Sequence, residues 1–220
     1  MVERGHEDAA VPGHVLQASA LRSVFQAPRP WSPEVTDEAR WFGEVTPTPA
    51  AVLISLIDGG ADGLSVMLTR RTAHLHDHAG QIAFPGGRVD VDDANRVDTA
   101  LREAREEVGL PGHAIEIIGT MPEYVTGTGF SVTPVVGLVH EPVQWQPDPF
   151  EVAEVFSTPL SFLMNPANHE RREVHWTDQH TEFVRHFYAM PYSTSAGHYF
   201  IWGATAAMLR NLYHFLRAQA

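Results

Sequence analysis

The chain contains no cysteine. That excludes a disulfide scaffold, a thiol nucleophile and any cysteine-ligated zinc or iron–sulfur site. Lysine is missing as well, so all 15 basic residues are arginine, and Schiff-base and lysine-cradled phosphate chemistry are excluded with it. Positive charge is scarce overall: 27 acids outweigh the bases, for a formal charge of −12. Such a surface repels nucleic acid and anionic membranes, and neither is expected as a partner. A polyanionic ligand would need local arginines or metal ions. No stretch approaches the roughly 18 apolar residues of a spanning helix. Residues 1–20 open with mixed charges and lack the apolar core of a secretion signal, so a cytoplasmic location is expected.

What is present is enough for a core. At 220 residues and 44% hydrophobic composition, the chain makes one large domain, or one domain with an arm. Residues 1–48 are rich in Pro, Ala and Glu. They read as an N-terminal arm, with short helices over 19–26 and 33–42, that packs late or partly frays. The compact domain spans 49–220. An apolar run over 51–57, the turn Asp58-Gly59-Gly60-Ala61-Asp62-Gly63 and a second run over 64–68 predict a hairpin. Further strands are predicted over 114–118, 132–139, 152–156, 182–190 and 198–201. One helix is expected over 96–108, capped by Asn95 or Asp98 and ended by Gly109, and an amphipathic one over 204–216. Strands interrupted by well-formed helices predict a layered α/β (α+β) domain.

The first of these helices carries the chemistry. Residues three or four apart on a helix return to the same face within about 60° and 40°. Glu103, Glu106 and Glu107 therefore converge, while Ala100, Leu101, Ala104 and Val108 turn away and can be buried. These acids do not serve the helix. Glu106 and Glu107 fall in the last turn, where the macrodipole disfavours negative charge. Glu103 and Glu107 are like charges at i,i+4, and Arg102–Glu106 has the weaker orientation for an ion pair. A local rule broken repeatedly in one turn marks a functional site. The compensating element is a hard divalent cation, Mg²⁺ or Mn²⁺. A bare Glu-x-x-Glu-Glu is more often a solvated face; the preceding Phe84-Pro85-Gly86-Gly87 changes that balance, because two glycines let backbone atoms approach a metal or phosphate.

Together these residues resemble the Nudix box, Gly-x5-Glu-x7-Arg-Glu-U-x-Glu-Glu-x-Gly-U, where U is a bulky aliphatic residue. Arg102-Glu103, Glu106-Glu107, Gly109 and Leu110 match in register. Ala104 is small where U is expected. The Gly87-to-Arg102 spacing is one residue longer than the family form, and Asp90, Asp92 and Asp93 stand where the early Glu belongs. Upstream, Met67-Leu68-Thr69-Arg70-Arg71-Thr72, His76, Gly80 and Phe84-Pro85-Gly86-Gly87 resemble the signature of the coenzyme A-hydrolysing subgroup, Leu-Leu-Thr-x-Arg-Ser-x3-Arg-x3-Gly-x3-Phe-Pro-Gly-Gly. His76 replaces an Arg of that pattern. The likeness continues through Thr126-Gly127-Thr128-Gly129-Phe130, Glu151-Val152-Ala153-Glu154 and Ile201-Trp202-Gly203.

The resemblance implies a Nudix-type α/β/α sandwich around a mixed sheet, and a pyrophosphohydrolase. Its expected substrate is coenzyme A or a derivative, cut to adenosine 3′,5′-bisphosphate and 4′-phosphopantetheine. The rival substrates are ADP-ribose and other nucleoside diphosphate derivatives, and the rival class is a nucleotide-sensing module that does not cut. By the same resemblance Glu103, Glu106, Glu107 and the Gly87 carbonyl hold Mg²⁺ or Mn²⁺, and Arg102 orients a helix carboxylate. The general base is Glu151 first and Glu154 second, with Glu103 also open. Arg71, His76, Gly86 and Gly87 contact substrate. A homodimer is a family-level expectation. Two groups of side chains keep ordinary readings. His74, His76 and His78 have the alternation of a zinc tract but no fourth ligand nearby, and read as a polar loop facing solvent or substrate phosphate. Trp202 and Phe215 read as core.

Overall fold

The expected hairpin is the seam from which a larger sheet opens. In the computed structural model its two strands pair antiparallel at the turn, Leu56 opposite Val66 and Asp58 opposite Leu64, then diverge. The structure describes residues 2–4, 8–35, 46–60, 63–74, 80–140, 143–178 and 181–220. His76, His78 and most of the helix expected over 33–42 lie outside them; residues 33–35 are not helical.

In chain order the elements are β1 (Val2–Arg4), α1 (Ala18–Gln26), β2 (Thr48–Asp58), β3 (Leu64–Arg71), β4 (Ile82–Ala83), β5 (Gly86–Arg88), α2 (Arg96–Val108), β6 (Ile115–Thr120), β7 (Tyr124–Val125), β8 (Phe130–Val139), β9 (Val152–Pro159), α3 (Leu160–Leu163), β10 (Glu170–Asp178), β11 (Thr181–Ser193), β12 (His198–Trp202) and α4 (Ala204–Gln219). The larger sheet runs β4-β3-β2-β8-β6, with β5, β7 and β9 paired to β2, β8 and β3. It is mixed: β2 and β8 are parallel, and the other pairings are antiparallel.

Alternation along the strands divides the core in two. Ala51, Leu53, Val135 and Val139 face α2, whose Ala100, Ala104 and Val108 are fully buried there. Ile54, Leu56, Val132, Val136 and Leu138 face the other way, onto α4 and α1. This is the period of two that a strand buried on both faces requires. The result is the expected α/β/α layering.

Two expectations change. The polar stretch 170–178, for which no strand was predicted, is β10, and it builds with β1, β11 and β12 a second, antiparallel sheet. Its charges hide the alternation, because much of the strand stays in water. The other concerns the arm, read as packing late or partly fraying: residues 8–35 pack on the core. Val11, Val15, Leu16 and Leu21 are buried, and Phe25 and Trp31 pack on Phe215 at 4.8 and 5.3 Å.

Candidate active site

The acid helix α2 is fixed at both ends by its own sequence. The Asn95 side chain accepts from the Val97 and Asp98 amides at 2.8 and 3.1 Å, so Asn95, rather than Asp98, is the cap. Gly109 closes the other end at φ +71°, a left-handed conformation that favours glycine. The chain then returns over this end. Amides of Gln146 and Asp148 donate to the carbonyls of Val108 and Glu107 at 3.0 and 2.9 Å. A Cβ on Gly109 would come within 2.8 Å of the Gln146 Cβ. The same loop carries Glu151, whose carbonyl accepts from the Thr72 amide at 2.9 Å. Helix end, loop and β3 are thus tied into one unit.

Within that unit the acids are unequal. Glu106 is about half exposed, Glu103 is mostly covered, and the Glu107 side chain is 6% exposed. Arg102 sits among them: Nη1 donates to Glu103 at 2.8 Å and to Glu106 at 3.0 Å. Its Nε and Nη2 donate to the two carboxylate oxygens of Asp93, both at 3.0 Å. Asp93 is a site residue that sequence reasoning did not single out. The signal was its spacing: counted from Gly87, Asp93 falls on the early acidic position of Gly-x5-Glu, and the extra residue lies between it and Arg102.

Arg71 reaches the site from β3, with Nη1 3.7 Å from Glu107 and Nη2 3.9 Å from Glu151. Glu154 points elsewhere. It accepts from the Tyr199 hydroxyl at 2.7 Å and pairs with Arg70 at 3.4 Å. Of the two candidate bases only Glu151 faces the helix acids. Gly86 packs on β2, where a Cβ would meet the Ala51 carbonyl oxygen at 2.4 Å, and its backbone hydrogen-bonds Glu107. A Cβ on Gly87 would stand 2.4 Å from Glu103 Oε1, so any larger residue there displaces that carboxylate.

Burial pushes the Glu107 carboxyl up to about 8; Arg71 opposes this, and Glu103 and Glu151 add to it by repulsion. Glu103 is raised for the same first cause, burial, against the pull of Arg102. Among the described residues no three acids close on one point as a preformed coordination shell; Arg102 and Arg71 take up carboxylate oxygens instead. The donor chemistry nonetheless suits a hard divalent ion. It combines oxygen donors, an excess of acid over base, and a backbone approach held open by Gly87.

Beside the acids lies a cavity of about 430 Å³, lined by Arg71, Gly86, Gly87, Arg88, Phe84, Phe130, Thr126-Gly127-Thr128, Arg185 and Trp202 among others. Trp202 is therefore not core as expected. It is half-buried at the cavity wall, edge-on to Phe187 at 5.5 Å, because β12 pairs with β11 at the margin of the second sheet. Phe215 is core.

A family model described as the NUDIX domain matches residues 46–185. The chain belongs to the Nudix family. Nudix hydrolases act on pyrophosphate bonds and generally use divalent metal ions. A Salmonella heidelberg (strain SL476) protein named "Uncharacterized Nudix hydrolase NudL" is 39% identical over 190 residues, covering 86% of this chain and 90% of that protein. Its counterpart in Salmonella newport (strain SL254) is 41% identical over 163 residues, 74% and 80% of the two chains. Among solved structures, the Nudix hydrolase RenU of M. Smegmatis is 27% identical with a TM-score of 0.43, covering 52% of this chain and 71% of that one.

Proposed function

We propose that this Nudix enzyme hydrolyses the pyrophosphate of coenzyme A or a derivative, releasing adenosine 3′,5′-bisphosphate and 4′-phosphopantetheine. The observation that carries the reading is the position of Arg71. This arginine of the upstream signature lines the cavity and reaches the buried Glu107 and the loop acid Glu151 at once. Signature and acid helix, apart in sequence, address one substrate.

Glu103, Glu106 and Glu107, with the Gly87 carbonyl, would hold Mg²⁺ or Mn²⁺. When bound, the ion neutralises pyrophosphate oxygens and lowers the pKa of a coordinated water. The protein's own part is positioning. Arg102, anchored on Asp93, keeps Glu103 and Glu106 in fixed orientation. Glu151 accepts the proton of the attacking water at its carboxylate. Arg71 holds a pyrophosphate oxygen through its planar donor pair. His76, of the same signature, is proposed to contact substrate but lies outside the described residues. A small-molecule substrate, a cytoplasmic location and a homodimer go with this reading. No helix among the described residues is long and apolar enough to cross a membrane.

Incubation with coenzyme A and Mg²⁺ or Mn²⁺, read by ion exchange and mass spectrometry, tests it directly. The two named products are expected, and neither should form without metal. Turnover of ADP-ribose with coenzyme A intact would replace the substrate. Metal-independent binding with no product from either would make the chain a sensing module.

A further inference from the structure

The cavity is electrically out of keeping with the molecule. The chain carries a net −12, yet among the described residues the cavity lining includes Arg71, Arg88 and Arg185 and neither aspartate nor glutamate. Long-range attraction of an anion by such a chain is weak, so binding depends on cations at the point of contact. Arg71 reaches Glu107 and Glu151 and is assigned above to the pyrophosphate. The other two converge elsewhere, on the turn between β7 and β8.

They arrive from different sheets. Arg88 ends β5, opposite Ala50 of β2, with β8 as the next strand over. Its backbone carbonyl is held by Arg102 Nη2 at 3.0 Å, while its guanidinium lies 5.3 Å over the ring of Phe130. Stacking on an aromatic face leaves the in-plane N–H groups free to donate. Arg185 comes from β11 of the second sheet. A Cβ added to Gly127 would find its Nη2 at 3.5 Å, so the guanidinium lies against that glycine. The turn between them is tied by its own threonines. Thr126 Oγ1 accepts from the Phe130 amide at 3.0 Å and is 3.0 Å from Thr128 Oγ1.

We propose that Arg88 and Arg185, meeting at the 126–130 turn, form a second anion subsite that binds a phosphomonoester of the substrate separate from the scissile pyrophosphate. The chemistry follows from the donor set. Two guanidiniums and a threonine hydroxyl pair suit a dianionic phosphate with several acceptor oxygens. Gly87, against the acid helix, is the residue before Arg88, so one ligand can span both. The subsite selects nucleotides bearing a phosphate on the ribose in addition to the 5′ chain. It thereby distinguishes the proposed coenzyme A substrate from ADP-ribose. The assignment of the scissile bond rests on the reading above; the subsite itself does not.

Calorimetric titration of the full chain with adenosine 3′,5′-bisphosphate and with adenosine 5′-monophosphate tests the proposal without turnover. The bisphosphate is expected to bind about 10- to 100-fold more tightly, the worth of a charge-assisted phosphate contact. Arg185→Gln and Arg88→Gln should each erase most of that preference while leaving monophosphate binding and thermal midpoint unchanged, and Arg185→Lys should keep part of it. In turnover, KM for coenzyme A should rise in the Gln variants with kcat kept, and KM for 3′-dephospho-coenzyme A should not move. Equal binding of the two nucleotides by the unmodified protein, or equal loss of both in folded variants, would overturn the subsite. If the preference holds but coenzyme A is not cleaved, the substrate reading fails and the subsite stands.

Discussion

Asp93 and Arg102 form a two-pronged pair, Nε to Oδ1 and Nη2 to Oδ2, each at 3.0 Å. The guanidinium holds the Asp93 carboxyl well below the usual carboxylate range. Its remaining nitrogen is left for Glu103 and Glu106, so the loop acid determines where the helix acids point. Asp93→Asn should lower kcat by roughly tenfold, with KM for substrate little changed and the Mg²⁺ concentration for half-activity raised, since the loss acts through Arg102 on metal ligands. Steady-state kinetics across a metal titration check this, and an unchanged metal requirement counts against the positioning role.

Glu103→Gln and Glu107→Gln should each cost about 10²-fold or more in kcat at saturating Mg²⁺, because charge neutralisation matters chiefly in the transition state.

Glu107 also makes a prediction about stability. Its folded pKa of about 8 stands above the ordinary 4.5. The metal-free folded state therefore binds a proton that the unfolded chain releases, and stability falls as pH climbs from 4.5 towards 8. Glu107→Gln removes this penalty. The gain in thermal midpoint over the unmodified protein, measured in EDTA, should be larger at pH 8 than at pH 5. A gain independent of pH means that the carboxylate is not ionised against its surroundings.

The candidate bases should separate cleanly. Glu151→Gln is expected to reduce kcat by about 10²-fold, within the usual range for a lost general base. Glu154, occupied by Tyr199 and Arg70, should change kcat less than about threefold when made Gln. Parallel assays at saturating substrate decide it, and the reverse order would move the base to Glu154.

Away from the site, His169 is 1% exposed. One ring nitrogen meets the Leu163 carbonyl at 2.7 Å, and the other accepts from Arg210 at 3.1 Å. Burial lowers its pKa to about 4. A depressed histidine contributes stability that is complete above the unfolded value near 6.5 and is lost as pH falls towards 4, up to about 3 kcal/mol over that window. Glu34, lowered to about 2 despite its burial by His214, Tyr188 and Arg210, adds a further loss only below 4.5. Urea titrations at pH 7, 5.5 and 4.5 should show His169→Gln with the flatter dependence.

What could be read from the sequence was local. The α2 boundaries, its glycine stop and the register of Glu103, Glu106 and Glu107 follow from caps and helical spacing, which act within a few residues. Asp93 was not legible as Arg102's partner, because that pairing depends on the path of a loop one residue longer than the family form. Glu151 could not be ranked over Glu154 on firm ground until β9 paired with β3 and sent one acid to the helix and the other to Tyr199. Trp202, Arg88 and Arg185 gained their positions from sheet pairing across long separations, which no local pattern encodes.

The packing of residues 8–35 on α4 bears on the order in which the molecule can assemble. Tyr213 donates to the Ala9 carbonyl at 2.9 Å, Gln219 accepts from the Arg29 amide at 2.7 Å, and Arg210 clamps Glu34 at 3.0 Å. These bonds join residues up to 204 positions apart. Such distant closures come late, because loop entropy must be lost before the contact forms. On the ribosome, Phe25 and Trp31 lack their Phe215 partner until residues 204–219 have emerged. That interval is when this chain is most exposed to aggregation and to chaperone capture.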